Sequence, residues 1–294
     1  MMRFSLRFPK RFPDSRRWLN RGVSFVAIAL FSFVTITSAQ AIPLQDLLFR
    51  GIQAAQLSNL SDQQEVQTGA QMHQNLLSQG VRLSSDPVLN RYVTTIGQRL
   101  VPFNRRPRLP YNFFVVQDKA VNAFATMGGY VYVTTGLLRT ADNEAQVASV
   151  IGHEMGHIER KHLLQQIRQS MLAQGLASAL LGQGRSQLAS AGVDLLVRRP
   201  LSREDEYQAD QVGLRTIRDA DYATSAMPEF MRKLLQSGGG SPTFLSTHPA
   251  VPARLKALDS AIRSGPTNRC DENSRLPVCG LDDAAYQSAV RQRL

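Results

Sequence analysis

Three residues near the middle of the chain have the types and the spacing needed to bind a metal ion and activate water. His153 and His157 are four positions apart, and Glu154 follows His153 directly. On an α-helix, positions i and i+4 lie on the same face, so both imidazoles can bind one cation while the carboxylate lies beside it. This is the H-E-x-x-H spacing, in which the glutamate serves as the general base of a hydrolysis. The pattern predicts a catalytic zinc site on a helix.

The neighbouring residues predict that helix. Residues 143–162 contain no proline, and Thr140 or Asp142 can cap the start of the helix. Apolar residues at helical spacing predict a buried stripe, namely Val147, Ile151 and Ile158. Gly152 and Gly156 form a second strip that would let another backbone approach closely. Because a glycine inside a helix costs about 1 kcal/mol, we expect packing or a site to offset both.

A catalytic zinc ion takes three protein ligands and keeps one position open, so a third ligand must come from elsewhere in the chain. A second helix is predicted to begin at Ser202, which has capping-box spacing with Asp205. Glu206 and Asp210 on this helix are again four positions apart. One of them can reach the metal while the other orients a ligand histidine. A solvated acidic face is the alternative interpretation.

Five stretches together resemble the gluzincin zinc endopeptidases of the HtpX and BepA type, which are related to the CAAX prenyl protease. The resemblance runs from about residue 86 to residue 258. The matching stretches are N-A-F-A from Asn122, G-G-Y-V-Y-V-T-T-G from Gly128, H-E-M-G-H from His153, S-R-E-D-E-Y-Q-A-D from Ser202, and T-H-P from Thr247 followed by Arg254.

The resemblance implies a fold and a set of site residues. The fold is α+β and mostly α, a gluzincin metallopeptidase fold with a small sheet and an edge strand beside the zinc helix. Glu206 is implied as the third zinc ligand and Asp210 as the acid that supports a ligand histidine. His248 matches a histidine that lies close to the active site in these relatives. Arg254 is expected to pair with an acid near the site, and the sequence does not say which.

The sheet is predicted between residues 111 and 135. Residues 111–117 and 121–127 are strand candidates, and Gly128-Gly129 forms a turn into a strand at 130–135. In the related peptidases one segment forms a sheet edge along the cleft, and it corresponds here to Asn122, Ala123, Phe124 and Ala125. An extended peptide can add to such an edge through main-chain hydrogen bonds. The alternative is a hairpin that only packs under the zinc helix.

The remaining histidines receive different interpretations. A glycine-rich loop at 237–242 precedes His248 and would allow it to move. His248 is expected either to hydrogen-bond the developing oxyanion or to bind zinc, displace the attacking water and keep the enzyme latent. His73 is interpreted as a packing or surface residue. His162 is interpreted as structural, because its spacing of five from His157 points it away from the metal.

Three further helices are predicted from caps and periodicity. Residues 86–100 begin with an Asp86 cap and a proline at the first helical position. Residues 221–236 and 252–263 are the other two. Residues 163–199 are interrupted by polar side chains and therefore do not predict a membrane span. They are expected to form a mobile cover over the cleft or a surface that faces the membrane.

The first 41 residues predict export. Residues 1–21 are rich in Lys and Arg, residues 22–37 are almost wholly apolar, and S-A-Q-A at 38–41 has the small-x-small pattern of a signal peptidase site. A cleaved signal places the protein in the periplasm or cell envelope, and an uncleaved N-terminal anchor is the alternative. About half of the formal net charge of +11 belongs to residues 1–21. The charge that remains is ordinary for a protein surface and gives little support for nucleic-acid binding.

The rest of the chain is predicted to comprise N-terminal helices at 42–85, a zinc metallopeptidase domain at 86–264 and a C-terminal tail at 265–294. Cys270 and Cys279 are the only two cysteines. In an oxidising envelope they are expected to form a disulfide.

These patterns together predict a zinc metalloendopeptidase with one Zn²⁺ per chain. Its expected substrates are unfolded or misfolded envelope polypeptides, an inference from the resemblance and the export signal together. Peripheral association with the membrane is compatible with the sequence, which does not define an oligomeric state. The alternatives are a chaperone or binding protein on a degenerate metallopeptidase fold, and a zinc hydrolase that does not cleave peptides.

Overall fold

Helices surround a small sheet in the computed structural model of the chain, which describes residues 60–173, 188–194, 201–236, 243–249 and 251–294. The predicted signal, residues 42–59 and parts of the stretch 163–199 lie outside the described residues. Among the residues described, none of the helices combines the length and the apolar character that a membrane crossing requires.

The helices account for most of the described chain. They are α1 (Asp62–Ser78), α2 (Pro87–Leu100), α3 (Thr135–Thr140), α4 (Glu144–Glu159), α5 (His162–Ala173), α6 (Arg203–Asp219), α7 (Ala226–Gln236), α8 (Thr243–Thr247), α9 (Val251–Ser264), α10 (Arg269–Glu272) and α11 (Asp283–Ala289). Residues 188–194 are also helical. Short 3₁₀ turns occur at Val101–Phe103, Met127–Gly129, Pro277–Cys279 and Arg291–Arg293.

The sheet has three strands, β1 (Asn112–Val116), β2 (Ala123–Ala125) and β3 (Tyr130–Thr134), in the order β1-β3-β2. Aromatic and β-branched side chains favour the extended backbone in β1 and β3. β3 is central, parallel to β1 and antiparallel to β2, which leaves β2 at an edge. The predicted fold class, mostly helical with a small sheet and an edge strand, is confirmed.

The turn between β2 and β3 needs glycine. Gly128 and Gly129 have φ angles of 74° and 96°, a region that residues with a Cβ rarely adopt. A Cβ on Gly128 would also lie 2.6 Å from the Cα of Val66 on α1. The turn therefore allows α1 to pack directly against the sheet.

Helix α4 carries the H-E-x-x-H residues, and two details differ from the prediction. Its N-cap is Asn143, whose side chain accepts a hydrogen bond from the backbone N–H of Gln146, and neither Thr140 nor Asp142 caps it. The helix ends at Glu159, and α5 begins at His162 after Lys161, which has a φ of 58°. The predicted single helix over residues 143–162 is therefore two helices joined by a sharp bend.

The predicted buried stripe of α4, Val147, Ile151 and Ile158, is buried, and the other faces of the helix are buried as well. Every residue from Ala145 to Ile158 is buried. The sheet, α2, α6 and α7 all pack against this helix. Because the helix is enclosed on all sides, its sequence has no solvent-exposed polar face from which the buried face could be predicted.

The glycine strip of α4 packs against α6, as the sequence predicts. A Cβ on Gly156 would lie 2.8 Å from the carbonyl oxygen of Ala209, and a Cβ on Gly213 would lie 2.9 Å from the backbone nitrogen of His153. The two backbones are therefore close enough that side chains on adjacent faces meet.

Two other predicted helix starts have different outcomes. Ser202 and Asp205 form the predicted capping box of α6. The predicted helix 221–236 begins only at Ala226, because Asp221 has a φ of 55° and the chain turns there.

The C-terminal residues pack on the start of α4. Cys270, Cys279 and Tyr286 are buried in the main hydrophobic core. The backbone N–H of Ala145 donates to the carbonyl of Gly280, and the Tyr286 hydroxyl donates to the carbonyl of Leu138. The sulfur atoms of the two cysteines lie 2.00 Å apart.

The contact between α4 and α6 predicts different effects for its two glycines. Gly156→Ala places a methyl group against rigid backbone, so we expect it to destabilise the fold by about 1–3 kcal/mol and to weaken zinc binding. At Gly152 the nearest atoms to a Cβ are Ile217 Cγ2 at 3.2 Å and the Gly213 carbonyl oxygen at 3.3 Å. Gly152→Ala is the matched control and should destabilise the fold much less than Gly156→Ala, since these contacts are longer and alanine favours a helix. Thermal unfolding and zinc titration of both variants check this, and equal effects would contradict it.

Candidate metal centre

Two histidines on α4 and one glutamate on α6 direct their polar atoms toward one point. The Nε2 atoms of His153 and His157 are 3.0 Å apart. Glu206 Oε2 lies 3.5 Å from His153 Nε2, and Glu206 Oε1 lies 3.6 Å from His157 Nε2. All three side chains are buried. The predicted convergence of these residues is present in the structure.

The chemistry and spacing of these three groups fit zinc. Two imidazoles and one carboxylate form a common ligand set of catalytic zinc sites. Ligand atoms placed tetrahedrally at ~2.0–2.2 Å from the ion are roughly 3.3–3.6 Å from one another, close to the separations observed here. A divalent cation would also balance the buried carboxylate of Glu206.

A second layer of residues fixes the orientation of His153 and Glu206. Asp210 Oδ1 lies 2.9 Å from His153 Nδ1, so this nitrogen carries the proton and Nε2 is left free to bind a cation. Arg254, fully buried on α9, donates to both carboxylate oxygens of Asp210 at 2.7 Å. Its Nη1 also donates to Glu206 Oε2 at 2.5 Å. Arg254 therefore pairs with two acids of the site.

His157 is supported by a residue that the sequence analysis placed elsewhere. His162 Nδ1 lies 2.8 Å from His157 Nδ1. If His157 Nε2 binds the cation, its Nδ1 carries the proton and donates to His162. His162 Nε2 then carries a proton, and the side-chain oxygen of Gln208 lies 3.3 Å away to accept it. The prediction that His162 points away from the site is wrong, because the bend at Lys161 turns it back toward His157.

Glu154 occupies the position that a general base requires. Its side chain is buried, and Oε1 makes no hydrogen bond with the described residues, although His248 Nε2 lies 3.5 Å from it. A buried carboxylate oxygen without a hydrogen bond destabilises the folded protein. A catalytic role can explain why such an oxygen is present here. Burial raises the pKa of Glu154, while the positive charges of His248 and His153 act in the opposite direction. A raised pKa favours proton transfer near neutral pH.

His248 lies among the three candidate ligands. Its Nδ1 is 3.0 Å from Glu206 Oε1 and 3.3 Å from His153 Nε2. The ring stacks on Phe244 of α8, with centroids 4.5 Å apart. Ligand atoms of His153, His157, Glu206 and His248 all lie within 4.8 Å of one another. With His162, which contacts His157, four of the five histidines of the chain lie at or next to this centre.

Comparison with known proteins identifies the family. Residues 87–262 match the description "Peptidase family M48", and this stretch is more than half of the chain. The chain belongs to peptidase family M48. The resemblance to the HtpX and BepA type of zinc endopeptidase is therefore confirmed. Members of this family are zinc-dependent, in agreement with the ligand set observed here.

Several curated proteins are similar to this M48 chain. The beta-barrel assembly-enhancing protease of Escherichia coli (strain K12) is 30% identical over 254 residues, which are 81% of this chain and 52% of that protein. The metalloprotease LoiP of the same organism is 30% identical over 241 residues, 79% of this chain and 93% of LoiP. The mitochondrial metalloendopeptidase OMA1 of Arabidopsis thaliana is 34% identical over 154 residues, 52% of this chain and 32% of that protein. The chain spans about half the length of the beta-barrel assembly-enhancing protease.

The titratable groups of the metal centre shift one another's pKa values. Burial alone would lower the pKa of His153, but the carboxylates of Asp210 and Glu206 outweigh it and raise the pKa to about 9. Burial and the charge of His153 hold the pKa of His157 well below its usual value. Burial would raise the pKa of Glu206, but His248 and His153 hold it well below its usual value. Because metal ligation requires a neutral imidazole, a bound cation would replace the proton on His153.

The edge strand β2 lines a cavity next to the centre. Thr134 donates its backbone N–H to the carbonyl of Asn122, and Thr126 donates to the carbonyl of Tyr130. In an antiparallel ladder alternate residues make these bonds, so the N–H and C=O groups of Ala123 and Ala125 point away from β3. The cavity has a volume of about 270 Å³ and also borders Glu154 and His157.

The fifth histidine lies apart from the centre. His73 on α1 stacks on Phe114 with centroids 4.6 Å apart, and its Nδ1 lies 2.9 Å from the Tyr132 hydroxyl. The prediction of a packing residue is confirmed.

The contact between His157 and His162 predicts a measurable effect on metal affinity. Removing the partner of a ligand histidine typically lowers metal affinity 10–100-fold, so we expect His162→Ala to weaken zinc binding by about that factor. Competition with a chelator measures the affinity directly. His73→Ala is the matched control and should bind zinc as the wild type does. Unchanged affinity in His162→Ala would show that His162 does not orient His157.

Proposed function

We propose that this M48 chain is a zinc-dependent endopeptidase that hydrolyses unfolded or damaged polypeptides of the cell envelope. The observation that carries the proposal is the buried convergence of His153, His157 and Glu206, with the carboxylate of Glu154 beside them, whose Oε1 makes no hydrogen bond with the described residues. Every side chain that the hydrolysis requires is present, so a chaperone on a degenerate metallopeptidase fold is not favoured.

His153, His157 and Glu206 would hold the metal, and each of the other residues has a separate task. Bound zinc would lower the pKa of the attacking water and polarise the scissile carbonyl. Glu154 accepts the proton of that water and later passes it to the leaving amine. Asp210 keeps the proton of His153 on Nδ1, and Arg254 holds the carboxylates of Asp210 and Glu206 in position.

The outer edge of β2, which pairs with no further strand among the described residues, supports a polypeptide substrate. Ala123 and Ala125 are buried in this structure, so a peptide that pairs with them must displace the groups that cover them. A peptide in extended conformation can pair with the outward N–H and C=O groups of Ala123 and Ala125. Such main-chain bonds recognise any sequence that is unfolded enough to lie flat. Asn122 and Phe124 border the same cavity, so the bound peptide would run past Glu154. This arrangement favours unfolded proteins over folded ones as substrates.

One feature of the sequence and one of the structure support a location in the envelope. Residues 1–41 have the composition of a cleaved export signal. Cys270 and Cys279 have their sulfur atoms at bonding distance, and such a bond persists in an oxidising compartment. We therefore place the mature protein in the periplasm or at a membrane surface.

We further propose that His248 keeps the enzyme latent. A catalytic zinc ion leaves a fourth position for water. His248 Nδ1 lies at hydrogen-bond distance from Glu206 and His153, so it can take that position. Withdrawal of His248 would then admit water and substrate to the centre.

The role of Glu154 is tested by a conservative substitution. Glu154→Gln keeps the size of the side chain but cannot accept the proton, so we expect zinc content to be unchanged and cleavage to fall at least about 100-fold. Cleavage of a denatured protein, with and without chelator, measures the effect. Glu229→Gln on the exposed face of α7 is the matched control. Parental cleavage by Glu154→Gln would overturn the assignment of the general base.

Latency is tested by removing the imidazole of His248. If a tenth of the wild-type molecules are open, His248→Ala should raise the cleavage rate about tenfold, because all molecules become competent. Zinc affinity should fall at the same time. Lost cleavage with unchanged zinc affinity would instead show that His248 stabilises the oxyanion.

A further inference from the structure

We propose that the loop at residues 101–110 docks on a membrane surface that carries anionic phospholipid headgroups. We call it the arginine loop, and it connects α2 to β1. The inference adds a binding partner and does not depend on the peptidase chemistry. The described residues that line the cavity beside Glu154 include none of this loop, so docking there would not occupy the cavity.

An aromatic side chain is exposed near the start of the arginine loop. Among the described residues three large hydrophobic side chains are exposed, and Phe103, at 40%, is the only aromatic one. A single exposed apolar side chain is common on protein surfaces and by itself indicates nothing. Phe103, however, shares its loop with two exposed arginines, Arg105 and Arg108. An apolar ring beside basic side chains is the combination that binds the interface of an anionic membrane.

The arginines of the loop differ in whether the fold supplies an acidic partner. Arg106 forms ion pairs with Asp62, at 2.6 Å, and with Glu65, at 2.9 Å. Arg105 and Arg108 form no ion pair with any residue that the structure describes. Two of the three guanidinium groups are therefore available to an external anion.

The acid closest to Arg105 is already engaged within the fold. Glu159 Oε2 accepts from the backbone N–H of Arg105 at 2.9 Å and pairs with Arg215 at 2.7 Å. Arg160, the next residue, is exposed and has no ion pair within the described part of the chain. This surface thus has a local excess of positive charge, which anionic headgroups complement. Each arginine that reaches an anionic leaflet strengthens binding about fivefold.

The base of the arginine loop is fixed to the protein core. Asn104 is buried, and its side-chain nitrogen donates to the carbonyl of Met155 at 3.4 Å. Its Oδ1 accepts from the Tyr111 hydroxyl at 3.0 Å and from the backbone N–H of Arg106 at 2.9 Å. Leu109 is buried in the main hydrophobic core. Because the loop is already ordered, docking loses little conformational entropy.

Three prolines lower the cost of bringing this backbone to a lipid interface. Pro102, Pro107 and Pro110 are all exposed. Proline has no backbone N–H, so these positions present no donor that would lose its hydrogen bond to water among the headgroups. An acidic protein would also attract the arginines, but the exposed ring and the missing donors favour the apolar boundary of a bilayer.

Binding to lipid vesicles tests the proposal. The protein should bind phosphatidylcholine vesicles that contain phosphatidylglycerol, and binding should weaken in high salt or without the anionic lipid. Arg105→Gln/Arg108→Gln should weaken binding roughly 30-fold, since each arginine contributes about fivefold. Lys119→Gln/Arg139→Gln is the matched control. It removes the same charge from exposed positions beyond the opposite end of β1 and should bind nearly as the wild type does.

A tryptophan in the loop reports insertion directly. The one tryptophan of the chain is Trp18, in the predicted signal. Phe103→Trp on a Trp18→Phe background therefore gives the loop the only tryptophan, whether or not residues 1–41 are retained. Anionic vesicles should shift its emission to shorter wavelength, and brominated acyl chains should quench it. Leu235→Trp on the same background is the matched control, because Leu235 is 46% exposed on α7, and it should show neither change.

The outcomes separate the possible partners of the loop. Vesicle binding that the arginine substitutions do not weaken, or emission of Phe103→Trp that lipid does not change, would overturn the proposal. No binding to anionic vesicles would also overturn it and would favour an acidic protein as the partner. Glu154→Gln should bind vesicles as the wild type does, so failure of the peptidase function would leave this result unchanged.

Discussion

The close contact between the backbones of α4 and α6 is the constraint on which the rest of the structure depends. Gly156 and Gly213 let the two helices approach until main-chain atoms touch. Because His153 is on one helix and Glu206 on the other, this approach brings an imidazole and a carboxylate to within 3.5 Å. A side chain larger than hydrogen at either glycine would separate the helices and the ligands together. The packing between α4 and α6 that these glycines allow can offset their lower helix propensity, and the same packing brings the candidate ligands together.

Several charged side chains are buried where α4 and α6 meet, and each is paired with a neighbouring side chain. An isolated charge in a protein interior is costly unless it is paired and hydrogen-bonded. Arg254 pairs with Asp210 and Glu206, and Asp210 in turn holds His153. Three helices thus meet in one network that fixes the rotamers of the candidate ligands. Burial beside this network raises the pKa of Glu154, and its Oε1 makes no hydrogen bond with the described residues, which suits a general base.

Local patterns in the sequence predicted the parts of the site that lie within single helices. The spacing of His153 and His157 and the capping box at Ser202 needed no tertiary information. Glu206 needed the resemblance, because spacing alone left it equivalent to Asp210. His162 could not be predicted from helical periodicity, because α4 ends at Glu159 and the chain bends before it. The partners of Arg254 depend on long-range packing, which a single sequence does not display. The cap at Asn143 was missed because Thr140 and Asp142 are equally good caps by residue type.

The central claim is that His153, His157 and Glu206 bind one zinc ion. X-ray absorption spectroscopy at the zinc edge, on purified protein and on the His153→Ala variant, tests it most directly. The account predicts one zinc per chain with nitrogen and oxygen ligands at ~2.0–2.2 Å, including two imidazoles or three where His248 is bound, and loss of that signal in the variant. A protein without zinc, or a zinc signal unchanged by His153→Ala, would contradict the account.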